Sequence, residues 1–152
     1  MTKLSPASWL VKAARPEEPG SPLNVPIVPS SNFLKGAGTQ YSREDASQTW
    51  QALEAIVGGL EGGECISYSS GMAAAAAVFT LLDAGTEIAL PDDCYHGVTK
   101  LAEEGEAQGR WRVRTIAVDD TAAWKAALLE CDLVWLESPS NPMLVLACLL
   151  YT

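Results

Sequence analysis

The chain has 152 residues, 48% hydrophobic and 19% charged, which is enough apolar material for one core and near the upper limit of one small domain. Ten Lys and Arg against nineteen Asp and Glu give a formal charge of −9. That charge repels nucleic acid and anionic lipid, which are held by clustered basic side chains. The longest apolar runs, 72–82 and 143–151, are shorter than the about 20 residues a bilayer crossing needs. The opening "MTKLSPASWLVKAARPEEPG" has no apolar stretch followed by a cleavage site, so a cytoplasmic protein is expected.

In chain order, six of the nine prolines fall before residue 30, among Gly, Ser and charged residues. Proline fixes its own backbone and disfavours helix in the residue before it, so residues 1–40 are expected to form an extended arm. From Ser47 the pattern becomes regular. Trp50, Leu53, Val57 and Leu60 lay one apolar stripe along a helix that "EGGE" stops. "ECISYS" has strand character, and "GMAAAAAVFTLLD" is rich in helix formers and apolar on all sides, as a helix buried between layers would be. "TEIALP" predicts a short strand, and "GVTKLAEEGEAQG" a helix with Val98 and Leu101 inward. "WRVRTIAV" alternates with period two, "TAAWKAALLE" sets Trp124 and Leu128 on one helical face, and "DLVWLES" predicts a buried strand ending in a turn. Strands and helices alternating without repeats indicate an α/β fold, a mainly parallel sheet covered by helices. Cys65, Cys94, Cys131 and Cys148 show no CxxC spacing and are expected to be buried thiols rather than metal ligands or disulfides.

The residues "SYSSGMAA" place Ser69, Ser70 and Gly71 between a predicted strand and a predicted helix. In parallel α/β sheets ligands bind beyond the carboxyl ends of the strands, where the next helix presents free amides and the positive end of its dipole. A capping hydroxyl and a glycine that admits close approach suit a phosphate or carboxylate. Taken alone, a serine at a helix start is most often only a cap.

Five blocks surround that junction: "YSR" at 41–43, "LEGGE" at 60–64, "SSGMAA" at 69–74, "DDCYHG" at 92–97 and "WLESPSNP" at 135–142. In this order and spacing they resemble the Cys/Met-metabolism family of pyridoxal-phosphate enzymes, which includes cystathionine γ-synthase and cystathionine γ-lyase. The resemblance runs from about Pro26 to Leu146. It implies a fold-type I large domain over residues 41–152, behind the arm of residues 1–40, with pyridoxal 5′-phosphate as cofactor. By the same resemblance Ser70, Gly71 and Met72 hold the cofactor phosphate, and Tyr95 stacks on the pyridine ring. Asn141 lies near the ring oxygen, and Tyr41 and Arg43 reach the phosphate of a neighbouring subunit's cofactor. The implied assembly is a homo-oligomer, a homotetramer in the complete relative. The implied substrate is an amino acid such as a homoserine ester, cysteine or cystathionine, and no nucleic acid or membrane is involved.

Two departures stand out. His96 occupies a position where glycine is common in the family, and "ASQT" at 46–49 replaces "NPT". The histidine is expected to be a hydrogen-bonded neighbour of Tyr95 rather than a base. Family chemistry also needs a lysine to form the Schiff base and a carboxylate that keeps the pyridine nitrogen protonated. In the family both follow the "SPSNP" turn, in a "VDNT"-like strand and an "S-x-T-K" stretch, and neither pattern occurs among these 152 residues. Lys3, Lys12, Lys35, Lys100 and Lys125 fit the pattern of solvated surface charges. The expectation is therefore a truncated piece of a γ-synthase-like enzyme, inactive by itself. Three alternatives stand beside it: a cystathionine or methionine γ-lyase, a non-catalytic fragment that co-assembles with full-length subunits, and another α/β protein holding a different phosphorylated ligand.

Overall fold

The computed structural model describes residues 4–36, 38–45 and 47–147, without the side chain of Asp45. Lys3, Ala46 and Cys148, singled out above, lie outside them. The chain divides into two compact units, one ending at Tyr68 and one beginning at Ser69.

The first unit holds α1 (Pro6–Lys12), α2 (Ser42–Asp45) and α3 (Gln48–Glu61). The stretch expected to form an extended arm therefore contains a helix. Its start follows from local chemistry: Ser5 accepts a hydrogen bond from the Ser8 N–H at 3.2 Å, and Pro6 occupies the first helical position, where a missing N–H costs nothing. Trp9 ties α1 to α3 by donating from its indole Nε1 to the Ile56 carbonyl at 3.0 Å. Ser47 caps α3, and the helix ends at Gly62, whose φ of 73° is a left-handed conformation that favours glycine. The apolar stripe of α3 is not covered. Trp50, Leu53, Val57 and Leu60 remain 37% to 52% exposed, because periodicity sets which residues share a face but not whether a partner meets it. "ECISYS" is not a strand either. It has no ladder partner, and the Ser67 N–H and hydroxyl both donate to Glu54 Oε1 at 2.8 Å. The Ser67 N–H, and then its hydroxyl, lower the Glu54 carboxyl below its ordinary range.

The second unit contains, in order, α4 (Gly71–Thr80), β1 (Thr86–Pro91), α5 (His96–Ala107), β2 (Trp111–Ile116), α6 (Thr121–Glu130) and β3 (Leu133–Val134). The strands form one parallel sheet of order β2-β1-β3, with Thr86 opposite Trp111 and Ile88 opposite Leu133. The chain steps from β1 to β2 in one direction and from β2 past β1 to β3 in the other. Crossovers of one hand must then lie on opposite faces, and α5 and α6 do. On the first face Ile88 and Leu90 pack with Ala75, Phe79, Val98, Ala102 and Trp111, and with the half-buried Leu133 and Trp135. On the second, Ala89 and Ile116 meet Trp124 and Ala127, with Val134 and Leu136 at the margin. The alternation along β1 and from Leu133 to Leu136 is the period-two signature of a sheet covered on both sides.

Several burial expectations change here. Only Ala75 and Phe79 of α4 are buried, and Val78 and Leu81 face solvent, so this helix covers the sheet with one side. On α6 Ala127 rather than Leu128 joins Trp124 in the core, so the buried face runs through the i and i+3 positions and leaves Leu128 half in solvent. β3 pairs over two residues and is half-buried rather than a full buried strand. Cys94 is buried, whereas Cys65 and Cys131 are only half-buried.

Candidate functional site

The loops that leave the carboxyl ends of β1 and of the 133–136 segment converge on the amino terminus of α4. Together they surround a hollow of about 520 Å³ lined by Ser70, Gly71, Met72, Tyr95, Glu137 and Asn141, with Trp135 and Val98 at its apolar side. That volume lies within the roughly 300–1,000 Å³ of small-molecule sites.

Each wall has a local cause. Ser70 is extended, with φ −159° and ψ 159°, and its hydroxyl accepts from the Ala73 N–H at 3.1 Å while its carbonyl accepts from the Ala74 N–H at 3.1 Å. The third and fourth amides of the α4 terminus are thus satisfied. Among the described residues the N–H groups of Gly71 and Met72 have no hydrogen-bond partner. A β-carbon added to Gly71 would meet nothing within 4 Å. This end of α4 is therefore an open pair of donors at the positive pole of a helix.

Tyr95 sits where the β1 loop turns into α5, its carbonyl accepting from Val98 and Thr99. The next turn of α5 packs tightly under it: a β-carbon on Gly97 would lie 2.7 Å from Met72 Sδ and 2.9 Å from Tyr95 Cε1. Gly97 thus lets the tyrosine ring and the first turn of α4 share one wall. His96 opens α5 on the exposed side, and its side chain makes no hydrogen bond to Tyr95. A histidine at the first position of α5 faces water rather than the ring of its predecessor. Asn141 stands in the exposed turn after Ser140, which is 1% exposed.

Two acidic residues, Glu137 in the wall of the hollow and Asp93 behind it, figure in the sequence only as members of the blocks "WLESPSNP" and "DDCYHG". Glu137 Oε2 accepts from the Tyr95 N–H at 3.0 Å and from Cys94 Sγ at 3.4 Å. Burial, reinforced by this carboxylate, pushes the Cys94 thiol up to about 12, so it stays protonated at neutral pH. Asp93 Oδ2 accepts from the Ser140 hydroxyl at 2.5 Å and from the Met143 N–H at 2.9 Å. The available signal was an acidic residue next to each ring-facing residue's loop, which in sequence is indistinguishable from ordinary turn chemistry.

Ser70, Gly71, Met72, Tyr95 and Asn141 line one hollow. Tyr41 and Arg43 belong to the first unit, where Tyr41 forms a single antiparallel bridge with Asn32 and Arg43 lies exposed in α2. Neither lysine of the second unit, Lys100 or Lys125, lines the hollow. Lys100 is exposed and pairs with Glu104 at 3.9 Å. Among the described residues no cluster of His, Cys, Asp and Glu could hold a metal ion, and no helix is long and apolar enough to cross a membrane.

Residues 10–149 match the model of the family described as Cys/Met metabolism PLP-dependent enzyme. Cystathionine γ-synthase of Mycobacterium bovis is 35% identical over 155 residues, covering 93% of this chain and 39% of the relative. Human cystathionine γ-lyase is 31% identical over 144 residues, covering 90% of this chain and 33% of that enzyme. The crystal structure of cystathionine γ-synthase from Xanthomonas oryzae pv. oryzae, in complex with cystathionine, superposes with a TM-score of 0.80 at 30% identity, over 96% of this chain and 40% of that one. The chain thus spans about 40% of the length of that structure. By the family model over residues 10–149 and the fold shared with these enzymes, the chain belongs to the Cys/Met-metabolism PLP-dependent enzymes, the family whose cofactor is pyridoxal 5′-phosphate.

Proposed function

We propose that the second unit binds pyridoxal 5′-phosphate in the hollow between α4, Tyr95 and Asn141. The observation that carries the reading is the pair of amides, Gly71 and Met72, without hydrogen-bond partners among the described residues, beneath an open hollow at a helix amino terminus. Two N–H donors aimed along a helix dipole suit a phosphate dianion. Ser70 holds the helix start in place by its cap. Tyr95 offers a flat face for an aromatic ring in the offset geometry that π systems prefer, and Asn141 offers an amide for a ring oxygen.

When bound, the cofactor supplies an electron-poor ring that takes up the electrons left when a substrate's α-proton is removed. The residues of this chain anchor, orient and partly wall off that ring, and Trp135 and Val98 keep the inner side of the hollow apolar. In a polypeptide of the relatives' length we propose γ-replacement, as the name cystathionine γ-synthase describes, or γ-elimination, as in cystathionine and methionine γ-lyases. The substrate class is a sulfur or homoserine-derived amino acid. Arg43, exposed and permanently charged, is proposed to reach with Tyr41 toward the phosphate of a neighbouring subunit. Because neither Lys100 nor Lys125 faces the hollow, the role proposed for the isolated 152-residue chain is cofactor binding without turnover.

Titrating the purified chain with pyridoxal phosphate, and separately with ATP and AMP, distinguishes this reading from an α/β protein for another phosphorylated ligand. Saturable binding of pyridoxal phosphate at least about tenfold tighter than of either nucleotide is expected, the ring contact to Tyr95 being the source of the difference. Equal or tighter nucleotide binding would reject the proposal.

A further inference from the structure

Tyr95 and Asn141 come from loops far apart in sequence, and the structure joins these loops twice, once in each direction. Glu137, in the second loop, reaches back to the first and accepts from the Tyr95 N–H at 3.0 Å and Cys94 Sγ at 3.4 Å. Asp93, in the first loop, reaches forward and accepts from the Ser140 hydroxyl at 2.5 Å and the Met143 N–H at 2.9 Å. Ser140 Oγ accepts in turn from the Val145 N–H at 2.9 Å, which closes the turn carrying Asn141 around that buried serine. Hydrogen bonds to a carboxylate are shorter and about twice as strong as neutral ones. Two of them pointing in opposite directions resist both separation and sliding of the loops.

We infer that Glu137 and Asp93 form a reciprocal carboxylate clamp that fixes the spacing of Tyr95 and Asn141, and so act as positioning residues for the ring-binding part of the hollow. The geometry gives each a target next to a ring-facing residue: Glu137 holds the peptide N–H of Tyr95 itself, and Asp93 holds the residues on either side of Asn141 and Pro142. Tyr95 precedes the first turn of α5, so no helical carbonyl reaches its N–H, and the Glu137 carboxylate is the acceptor that fixes that peptide. Gly71 and Met72 hydrogen-bond to neither acid. The clamp should therefore act on ring binding and leave the phosphate end untouched. The inference rests on the proposed reading of the hollow as a pyridoxal-phosphate site.

The test uses the 152-residue chain and the variants Glu137→Ala, Asp93→Ala, Glu137→Gln and Asp93→Asn. Each is titrated with pyridoxal phosphate and with inorganic phosphate, and amide exchange is followed by NMR at Tyr95 and Met143. Each alanine variant is expected to weaken pyridoxal-phosphate binding about tenfold, the size of one lost charge-assisted hydrogen bond, and to change phosphate binding by less than about twofold. Glu137→Gln keeps an acceptor oxygen and should recover most of the loss. Tyr95 exchange should quicken in Glu137→Ala, and Met143 exchange in Asp93→Ala. Parallel weakening of both ligands would show general destabilisation and overturn the clamp, as would unchanged pyridoxal-phosphate binding. Should the alanine variants fail to fold, Glu137→Leu and Asp93→Leu, which remove the acceptor oxygens without leaving a void, carry the same comparison. If the native chain bound pyridoxal phosphate no better than phosphate, the proposed function would fall instead. The clamp would then be judged by exchange alone, with retained Tyr95 protection in Glu137→Ala counting against it.

Discussion

Replacing Gly71 with proline is expected to leave the second unit as stable as before and to weaken pyridoxal-phosphate binding by about ten- to a hundredfold, the effect of removing one hydrogen bond to a charged group. The separation of the two effects follows from geometry. Gly71 is the first helical residue of α4, where proline is well tolerated. The preceding Ser70 is already extended, at φ −159° and ψ 159°, as a residue before proline must be. A β-carbon at position 71 meets nothing within 4 Å, and the cap from Ser70 to Ala73 does not involve the lost N–H. A ring carbon stands where the donor was. Gly71→Ala keeps that donor and serves as the control, with a change of less than about threefold, as expected where nothing polar is lost. Thermal melting and ligand titration of the three proteins decide the matter. Unaltered affinity in Gly71→Pro would remove Gly71 from the site.

Phe79→Ala is expected to cost about 3–5 kcal/mol, enough to lower the melting temperature by more than about 12 °C in a unit of this size. Phe79 is 1% exposed and stands between two indoles, its ring 5.5 Å from Trp111 in an edge-on contact and 5.8 Å from Trp135. Trp111 is locked in turn by its Nε1 bond to the Ala102 carbonyl at 2.8 Å, so it cannot swing into the space that Phe79 vacates. Trp135 also lines the hollow, which links this packing to binding: the helix whose amino terminus carries the open amides is docked on the sheet mainly through Phe79 and Ala75. Calorimetry should show an earlier and less cooperative transition. A melting temperature within about 3 °C of the native value would mean that the site collapses around the deletion, as cores do when neighbours can relax.

Much of the second unit was legible because its signals are local. The short strand run of "TEIALP", the period-two pattern of "WRVRTIAV" and the helical spacing of Val98 with Leu101 depend on neighbours along the chain, and β1, β2 and α5 form where they indicate. The serine cap and glycine at 70 and 71 also belong to one turn of chain, and α4 starts there. Convergence of Tyr95 and Asn141 on that start was implied by the family resemblance, and it accords with a general rule, that loops at the carboxyl ends of parallel strands face the same side. What required the structure was set by partners. The Trp50 to Leu60 stripe has the right period for burial and stays exposed, and Ala127 rather than Leu128 meets the sheet beside Trp124, a choice of i+3 over i+4 that helical period leaves open. Strand character in "ECISYS" yields to Glu54, a residue on another element. Glu137 and Asp93 were invisible for the same reason: their partners lie 42 to 50 residues away, and no local pattern marks an acid for a distant amide.

The central claim is that the amides of Gly71 and Met72 receive the phosphate of pyridoxal phosphate while Tyr95 meets its ring. An amide-resolved NMR titration of the isotopically labelled chain measures this directly. The account predicts that the Gly71 and Met72 amide signals shift downfield and saturate together with those of Tyr95, whereas inorganic phosphate moves only the first two. Saturable binding with Gly71 and Met72 unmoved would contradict it.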